Sequence, residues 1–236
     1  MGLKESGLRG SLRSVSTGVS AIPDSQMFQS PVYQFWAGVY GGNDGDSPFD
    51  FPESLEGNDA VAQDSPKFVE DLDGFSASEY DGSGGHRYSD DDNFVGEGQQ
   101  AVSFASLVYY PDLDDGAIAG YGNRDSEEDS LLLRYSSGGI EINVFFGDDV
   151  QATADVPENE WVTIGASIDL SSNVDLYFNG DNIGSGSTNH SFDGAVGWIG
   201  ESDGSVNLTG NIAELVVSNE AEADSSFADY HTDRLS

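Results

Sequence analysis

The sequence contains no cysteine, which excludes disulfides and thiolate metal sites alike. Lysine is almost missing too, with Lys4 and Lys67 alone. Eight Lys and Arg stand against 43 Asp and Glu in 236 residues, a formal net charge of −35. A chain this poor in cations has little to offer a phosphate backbone or an anionic lipid, so neither nucleic acid nor a membrane is an expected partner. No run of about 18 apolar residues occurs, so no transmembrane helix is expected. The N-terminal residues lack the 7–15-residue apolar core of an ordinary secretory signal. His86, His190 and His231 are scattered, and no serine or cysteine nucleophile constellation is evident.

The acid excess has a consequence for folding. Like charges repel in the compact state, and the Debye length shrinks to about 3 Å at 1 M salt, so concentrated salt removes most of that repulsion. An acid-rich, lysine-poor surface suits multimolar salt. The acids are spread through strand-like segments and not gathered in one block, which argues against an acidic tail. The melting temperature is expected to rise steeply between dilute buffer and molar KCl or NaCl; a flat curve would sink this reading.

What is present is alternation. In Trp161–Gly180, Val162, Ile164, Ala166 and Ile168 share one strand face, and Val174, Leu176 and Phe178 share another. Ser171-Ser172 makes a bend between them, and Asn179-Gly180 supplies positive φ angles for a tight turn. Val102, Phe104, Ser106 and Val108 alternate in the same way, as do Ile140, Ile142, Val144 and Phe146. Ala117–Tyr121 and Leu131–Tyr135 flank an acidic loop; Val150–Ala154, Asn182–Ser187, Ala195–Gly200 and Asn211–Ser218 complete the set, with a first strand at 32–40. The stretch 41–66 reads as a surface excursion. Roughly a dozen short strands separated by Asp-Gly and Asn-Gly turns indicate an all-β sandwich. Ala223, Phe227 and Tyr230 recur at i, i+4, i+7, which predicts a short C-terminal amphipathic helix over 220–233. Trp161 and Trp198 each border an apolar run and are expected in the core.

Residues 1–30 form a different segment. Lys4, Arg9 and Arg13 lie within Gly/Ser-rich sequence with spaced apolar residues, so an extended docking arm is expected, anchored by Leu3, Leu8, Arg9, Leu12, Arg13 and Val15.

Four segments resemble the LamG-like, or concanavalin A-like, jelly-roll family: Tyr80-Asp81-Gly82-Ser83-Gly84, Trp161–Ala166, Asp175-Leu176-Tyr177-Phe178-Asn179-Gly180 and Gly210–Val217. The resemblance covers about residues 32–236, so the expected organisation is an extended arm over 1–30 and one antiparallel jelly-roll sandwich over 31–236 with a short C-terminal helix. Separately, Gly7–Gly18 and Ala21-Ile22-Pro23-Asp24 are similar to the starts of tail and fibre proteins from viruses of extremely halophilic archaea.

These resemblances imply a virion structural protein: a tail fibre, baseplate or capsid-surface spike. The arm would dock to other virion proteins or a sister subunit, as in a homo-oligomeric projection. The jelly roll would meet a host-surface glycan or surface-layer protein. The expected location is the virion, otherwise extracellular. A free carbohydrate-binding protein of a halophilic microbe is the first alternative, and a laminarinase-like hydrolase the second. Glycosidase relatives carry Glu-x-Asp-x-x-Glu on one strand; that string is missing, and the neighbouring side chains of Glu127-Glu128-Asp129 would point to opposite faces, so a non-enzyme is expected. No cofactor is required. Ca2+ on Asp81 and Asp203 is one option, since acidic loops supply the oxygen ligands that this ion takes. Tyr121, Arg124 and Tyr135 around the acidic loop are the candidate glycan patch. Asn189-His190-Ser191 and Asn207-Leu208-Thr209 are glycosylation-type tripeptides at turn positions.

Overall fold

A computed structural model describes residues 31–40, 43–52, 59–64, 66–89, 98, 100–122, 130–144, 148–192, 196–201 and 206–235. The strands in chain order are β1 (Pro31–Trp36), β2 (Val61–Ala62), β3 (Lys67–Leu72), β4 (Phe75–Asp81), β5 (His86–Ser89), β6 (Val102–Tyr109), β7 (Gly116–Gly122) and β8 (Ser130–Ser136). They continue with β9 (Gly139–Val144), β10 (Val150–Thr153), β11 (Trp161–Ile168), β12 (Asn173–Phe178), β13 (Asp181–Ser187), β14 (Val196–Ile199) and β15 (Thr209–Ser218), followed by helix α1 (Asp224–Leu235).

Two antiparallel sheets result. One has eight strands, ordered β13-β12-β11-β6-β15-β4-β3 with β1 also on β15; the other has seven, ordered β10-β9-β8-β7-β14-β5-β2. A register shift between Ile212 and Glu214 divides β15, so that Thr209–Ile212 pair with β4 and the remainder pairs with β1. The apolar alternation read from the sequence is the inner lining: Val162, Ile164, Ala166, Ile168, Val174 and Leu176 share the main core with Ile140, Ile142, Val144, Leu131 and Leu133. Ile164 pairs with Phe178 and Ile168 with Val174. The tight turn lies at Asn179 and Gly180, with φ of 49° and 83°.

Three expectations are corrected. The first strand ends at Trp36, and Ala37–Val39 form a 3-10 turn. The stretch 41–66 is not only a surface excursion, because Phe49 and Phe51 are buried against Phe35, Phe68 and His86. Both rings join the main core between the sheets, because an apolar ring in a loop gains by leaving water wherever the sheets leave room for it. The helix starts at Asp224, leaving Ala223 outside it and exposed; Ser226 joins Phe227 and Tyr230 on the buried side.

Helix α1 covers the outer face of the eight-stranded sheet. Phe227 stacks on Tyr177 with ring centroids 3.7 Å apart and packs with Ala105, Val216 and Tyr230. A Cβ at Gly165 would stand 2.5 Å from Phe227 Cε1, so only glycine on β11 admits this ring. The outer face of the seven-stranded sheet carries no helix among the described residues.

Candidate binding surface on the seven-stranded sheet

The sequence-nominated residues do not converge. Asp81 ends β4 in an exposed turn, where Oδ1 accepts from the Ser83 amide at 3.1 Å and its hydroxyl at 2.5 Å. The Ser83 hydroxyl is the main cause of a carboxyl held below its ordinary range. Asp203 lies outside the described residues, as do Arg124 and the arm residues Leu3, Leu8, Arg9, Leu12, Arg13 and Val15. Among the described residues no three His, Asp or Glu stand together as metal ligands. Tyr121 and Tyr135 are corrected as a ligand patch. Both belong to the core, Tyr121 edge-on to Phe192 at 5.0 Å and Tyr135 against Tyr110 at 5.6 Å. They alternate with the outward residues of their strands and therefore point inward.

Two open grooves, about 550 and 470 Å3, flank Asp169 where the β11–β12 turn meets the chain entering α1. Their carboxylates are already engaged locally. Asp169 accepts from the Ser171 and Asn173 amides and the Asn173 side chain, at 2.7, 2.9 and 2.7 Å. Asp224 accepts from Tyr177 at 2.8 Å, and Glu222 from Ser218 and Ser226 at 3.0 Å each. These acids fix the turn and the helix start, and the grooves are seams between those elements.

The seven-stranded sheet presents a different chemistry. A Cβ at Gly197 would overlap the Tyr88 ring of the core, and Ile199 is a core residue, so the intervening Trp198 points outward. The register places Val61, Arg87, Trp198, Gly120, Leu132 and Asn143 in one row across β2, β5, β14, β7, β8 and β9. Gly120 leaves room for its neighbours, since a Cβ there would meet Trp198 Cε3 at 3.0 Å and Leu132 Cδ1 at 3.1 Å. Trp198 and Leu132 form a buried apolar floor. Trp198 is buried as expected, on the outward side of its sheet and not between the two sheets. Trp161 is corrected: it faces outward from β11, half-buried, with its indole N–H donating to Leu72 O at 2.9 Å.

Two ion pairs bound this floor. Arg87 Nε donates to Glu201 Oε1 at 2.8 Å, with side chains 39% and 3% exposed. Arg134 Nε and Nη2 donate to Glu141 Oε1 at 3.1 and 2.5 Å, with side chains 21% and 6% exposed. Each carboxylate is buried behind its guanidinium, which is thereby held in one orientation. Arg87 and Arg134 stand on β5 and β8, three strand spacings apart, roughly 14 Å. Val61, 55% exposed, pairs with Arg87, and Val196, 39% exposed, lies two residues before Trp198. They are two of the three exposed large hydrophobic residues among those described; Leu170 at the β11–β12 turn is the third. The same face therefore combines apolar contact at Val61 and Val196 with oriented arginines, while the Asn143 amide on it donates to Asp149 Oδ1 at 2.7 Å.

Sequence reasoning overlooked this face, although its signal was present. Leu131, Leu133 and Tyr135 alternate inward, which puts Leu132 and Arg134 outside. What no local pattern announced was the pairing of Arg87 with Glu201 across 114 positions.

The geometry defines an antiparallel two-sheet sandwich with a polar, partly apolar outer sheet face. The chain belongs to the Concanavalin A-like lectin/glucanases superfamily, whose laminin G-type model matches residues 81–225. No curated protein matches it. Among solved structures it is similar to domain 4 of a GH43 extracellular arabinanase from Geobacillus stearothermophilus, determined in complex with arabinotriose. There the TM-score is 0.63 at 17% identity, over 85% of this chain and 97% of that one. It is also similar to the botulinum neurotoxin type C structure concerned with cell entry through two ganglioside molecules, with TM-score 0.64, 10% identity, 89% of this chain and 52% of that one. A third is a sialidase from Trypanosoma rangeli, with TM-score 0.61, 12% identity, 87% of this chain and 33% of that one. At these identities the likeness is one of fold.

Proposed function

We propose that this chain is a glycan-binding jelly roll that acts without catalysis, as the exposed domain of a virion structural protein. The observation that carries the binding role is the outer face of the seven-stranded sheet, where braced Arg87 and Arg134 stand with exposed Val61 and Val196 around a buried apolar floor. Sugars offer apolar C–H faces and hydroxyls together, and this face has partners for both. Similar folds in complex with arabinotriose or engaged with gangliosides support the reading.

The spacing of carboxylates supports binding over hydrolysis. Glu141 on β9 and Glu201 beyond β14 are three strand spacings apart, roughly 14 Å, whereas glycosidic cleavage needs about 5–9.5 Å. Each is also taken by an arginine. The virion role rests on the similarity of Gly7–Gly18 to tail and fibre proteins and on the net charge of −35.

Val61→Asp and Val196→Asp are expected to abolish glycan-array binding in molar salt while leaving the melting temperature within about 2 °C, because both residues are surface-exposed. Unchanged binding would refute the site, and release of reducing sugar would refute the non-catalytic role. Deleting residues 1–30 is expected to block incorporation into particles while the sandwich still folds; normal incorporation of the truncated chain would refute the docking role.

A further inference from the structure

We infer that Asn189 carries an N-linked glycan and that Asn207, in the second tripeptide of the same type, does not. The inference concerns sugar attached to the chain and is independent of the sheet face that binds it.

In sequence the two tripeptides are equivalent. Asn189-His190-Ser191 and Asn207-Leu208-Thr209 each place a hydroxyl two residues after an asparagine. A carboxamide nitrogen is a weak nucleophile, because its lone pair is delocalised into the carbonyl. A transferase therefore has to hold the amide and the hydroxyl together, which requires both on one accessible side of the chain.

The fold makes the two sites unequal. Along the chain leaving β13, Thr188, His190 and Phe192 are buried, while Asn189 and Ser191 are exposed. That alternation is the pattern of extended chain, in which residues two apart share a side. The amide and the hydroxyl thus meet solvent together. The buried residues anchor the segment. The Thr188 amide donates to Ser172 O at 3.0 Å and its hydroxyl to Asp148 O at 2.5 Å; His190 Nε2 lies 2.7 Å from Gln100 O. Phe192 and Gly98 exchange backbone hydrogen bonds at 2.7 and 2.8 Å. The Asn189 side chain has no hydrogen-bond partner among the described residues; its backbone oxygen accepts from the Thr188 hydroxyl at 3.5 Å. Ser172 belongs to the β11–β12 turn, whose Leu170 is 64% exposed, so a hydrated glycan is placed at an end of the sandwich where an apolar side chain meets water.

Asn207 is held the other way. Its Nδ2 donates to Gly82 O at 3.1 Å, and its Oδ1 is buried. Leu208 is fully buried, with its amide on Gly200 O at 2.8 Å and its carbonyl accepting from the Gly82 amide at 3.0 Å. Thr209 opens β15 opposite Asp81. Presenting Asn207 to a transferase means unfolding the joint between β4 and β15.

In the reaction, Asn189 Nδ2 bonds to the anomeric carbon of an activated sugar. The bond from that carbon to its phosphate leaving group breaks, the electron pair departs with the nucleoside diphosphate or polyprenyl phosphate, and Nδ2 gives up one proton to the transferase.

The test is peptide mapping by mass spectrometry on the full chain purified from its native source, with variants expressed in the same host. Occupancy at Asn189 is expected to exceed that at Asn207 by about tenfold or more, since Asn207 is offered only on local opening. Asn189→Gln and Ser191→Ala should each abolish the glycan, and Asn207→Gln should leave it in place. Ser191→Thr should retain it, which separates loss of the hydroxyl from loss of the fold. Glycan on newly made cytosolic chain supports the inference with a nucleotide-linked donor; glycan only on chain that has passed a membrane supports it with a polyprenyl-linked donor. A bare Asn189 in wild type, or equal occupancy at the two asparagines, overturns it.

Discussion

Replacing Glu214 with alanine is expected to cost about 3–5 kcal/mol, a fall in melting temperature of about 6–20 °C for a chain of this size. Glu214 lies on the outer face of β15 and is 1% exposed. Its carboxylate accepts from Gln34 Nε2 at 2.7 Å, Tyr230 hydroxyl at 3.2 Å, and Arg234 Nε and Nη2 at 2.5 and 2.9 Å. It therefore ties the first strand, the last strand and the helix into one network. Burial alone would lower the Arg234 pKa, but the hydrogen bonds and charge of Glu214 hold it raised. Without Glu214 the guanidinium keeps only the Tyr230 ring, 5.0 Å away, and the charge of Asp233, while its Nη1 already lacks a hydrogen-bond partner. Removing both charges should do less harm than removing one. Glu214→Leu with Arg234→Met is expected to regain at least half of the loss, since an apolar pair of similar volume avoids desolvating either ion. Thermal unfolding in molar salt checks both; a single-variant loss below about 1 kcal/mol would contradict the role assigned to the network.

Acidification from pH 6.5 to 4 is expected to remove about 3 kcal/mol of stability through His86 alone. This imidazole is fully buried among Phe49, Phe51 and Tyr80, with ring centroids at 5.3, 5.4 and 5.6 Å. Nε2 is 2.9 Å from Phe49 O, which can only accept, so Nε2 carries the proton. Nδ1 then accepts from the Tyr80 hydroxyl at 3.0 Å, and the neutral ring is fully satisfied. Burial pushes the His86 pKa down to about 4. Above pH 6.5 neither the folded nor the unfolded state binds the extra proton, and stability is whole. As pH falls below 6.5 the unfolded chain takes it up and the folded chain refuses it, costing about 1.4 kcal/mol per unit until the folded pKa is reached. His190 is shifted in the same direction, chiefly by burial, and adds to the slope. The His86→Gln variant should lose the larger part of this pH dependence, while carboxylate protonation provides a background common to both proteins. An NMR titration offers the direct check: a His86 ring that titrates near 6.5 would overturn the account.

The two results locate what a local reading can and cannot reach. The strands over 102–109, 139–144, 161–168 and 173–178 were legible because burial of one sheet face writes a period of two into the chain. The turn at Asn179-Gly180 was legible because few residues accept positive φ. Charge was legible from counting. The same alternation also implied that Trp161 and Arg134 face away from the core, although the apolar runs beside the tryptophans suggested the reverse. Phe49 and Phe51 were not legible, because a loop ring enters a core only where the assembled sheets leave space for it.

The sequence by itself determined the all-β class, the acidic character, the register of the central hairpin and the inner face of most strands. All of these depend on residues within a few positions of one another. Only the tertiary structure decided which strands became neighbours, and with that the pairing of Arg87 with Glu201 and of Glu214 with Gln34. Strand order is selected by the burial of whole sheets against each other, and a period of two carries no information about partners far away in the chain. The candidate binding face belongs to that second category: its residues come from β2, β5, β8, β9 and β14, and they meet because the seven-stranded sheet closes in that order.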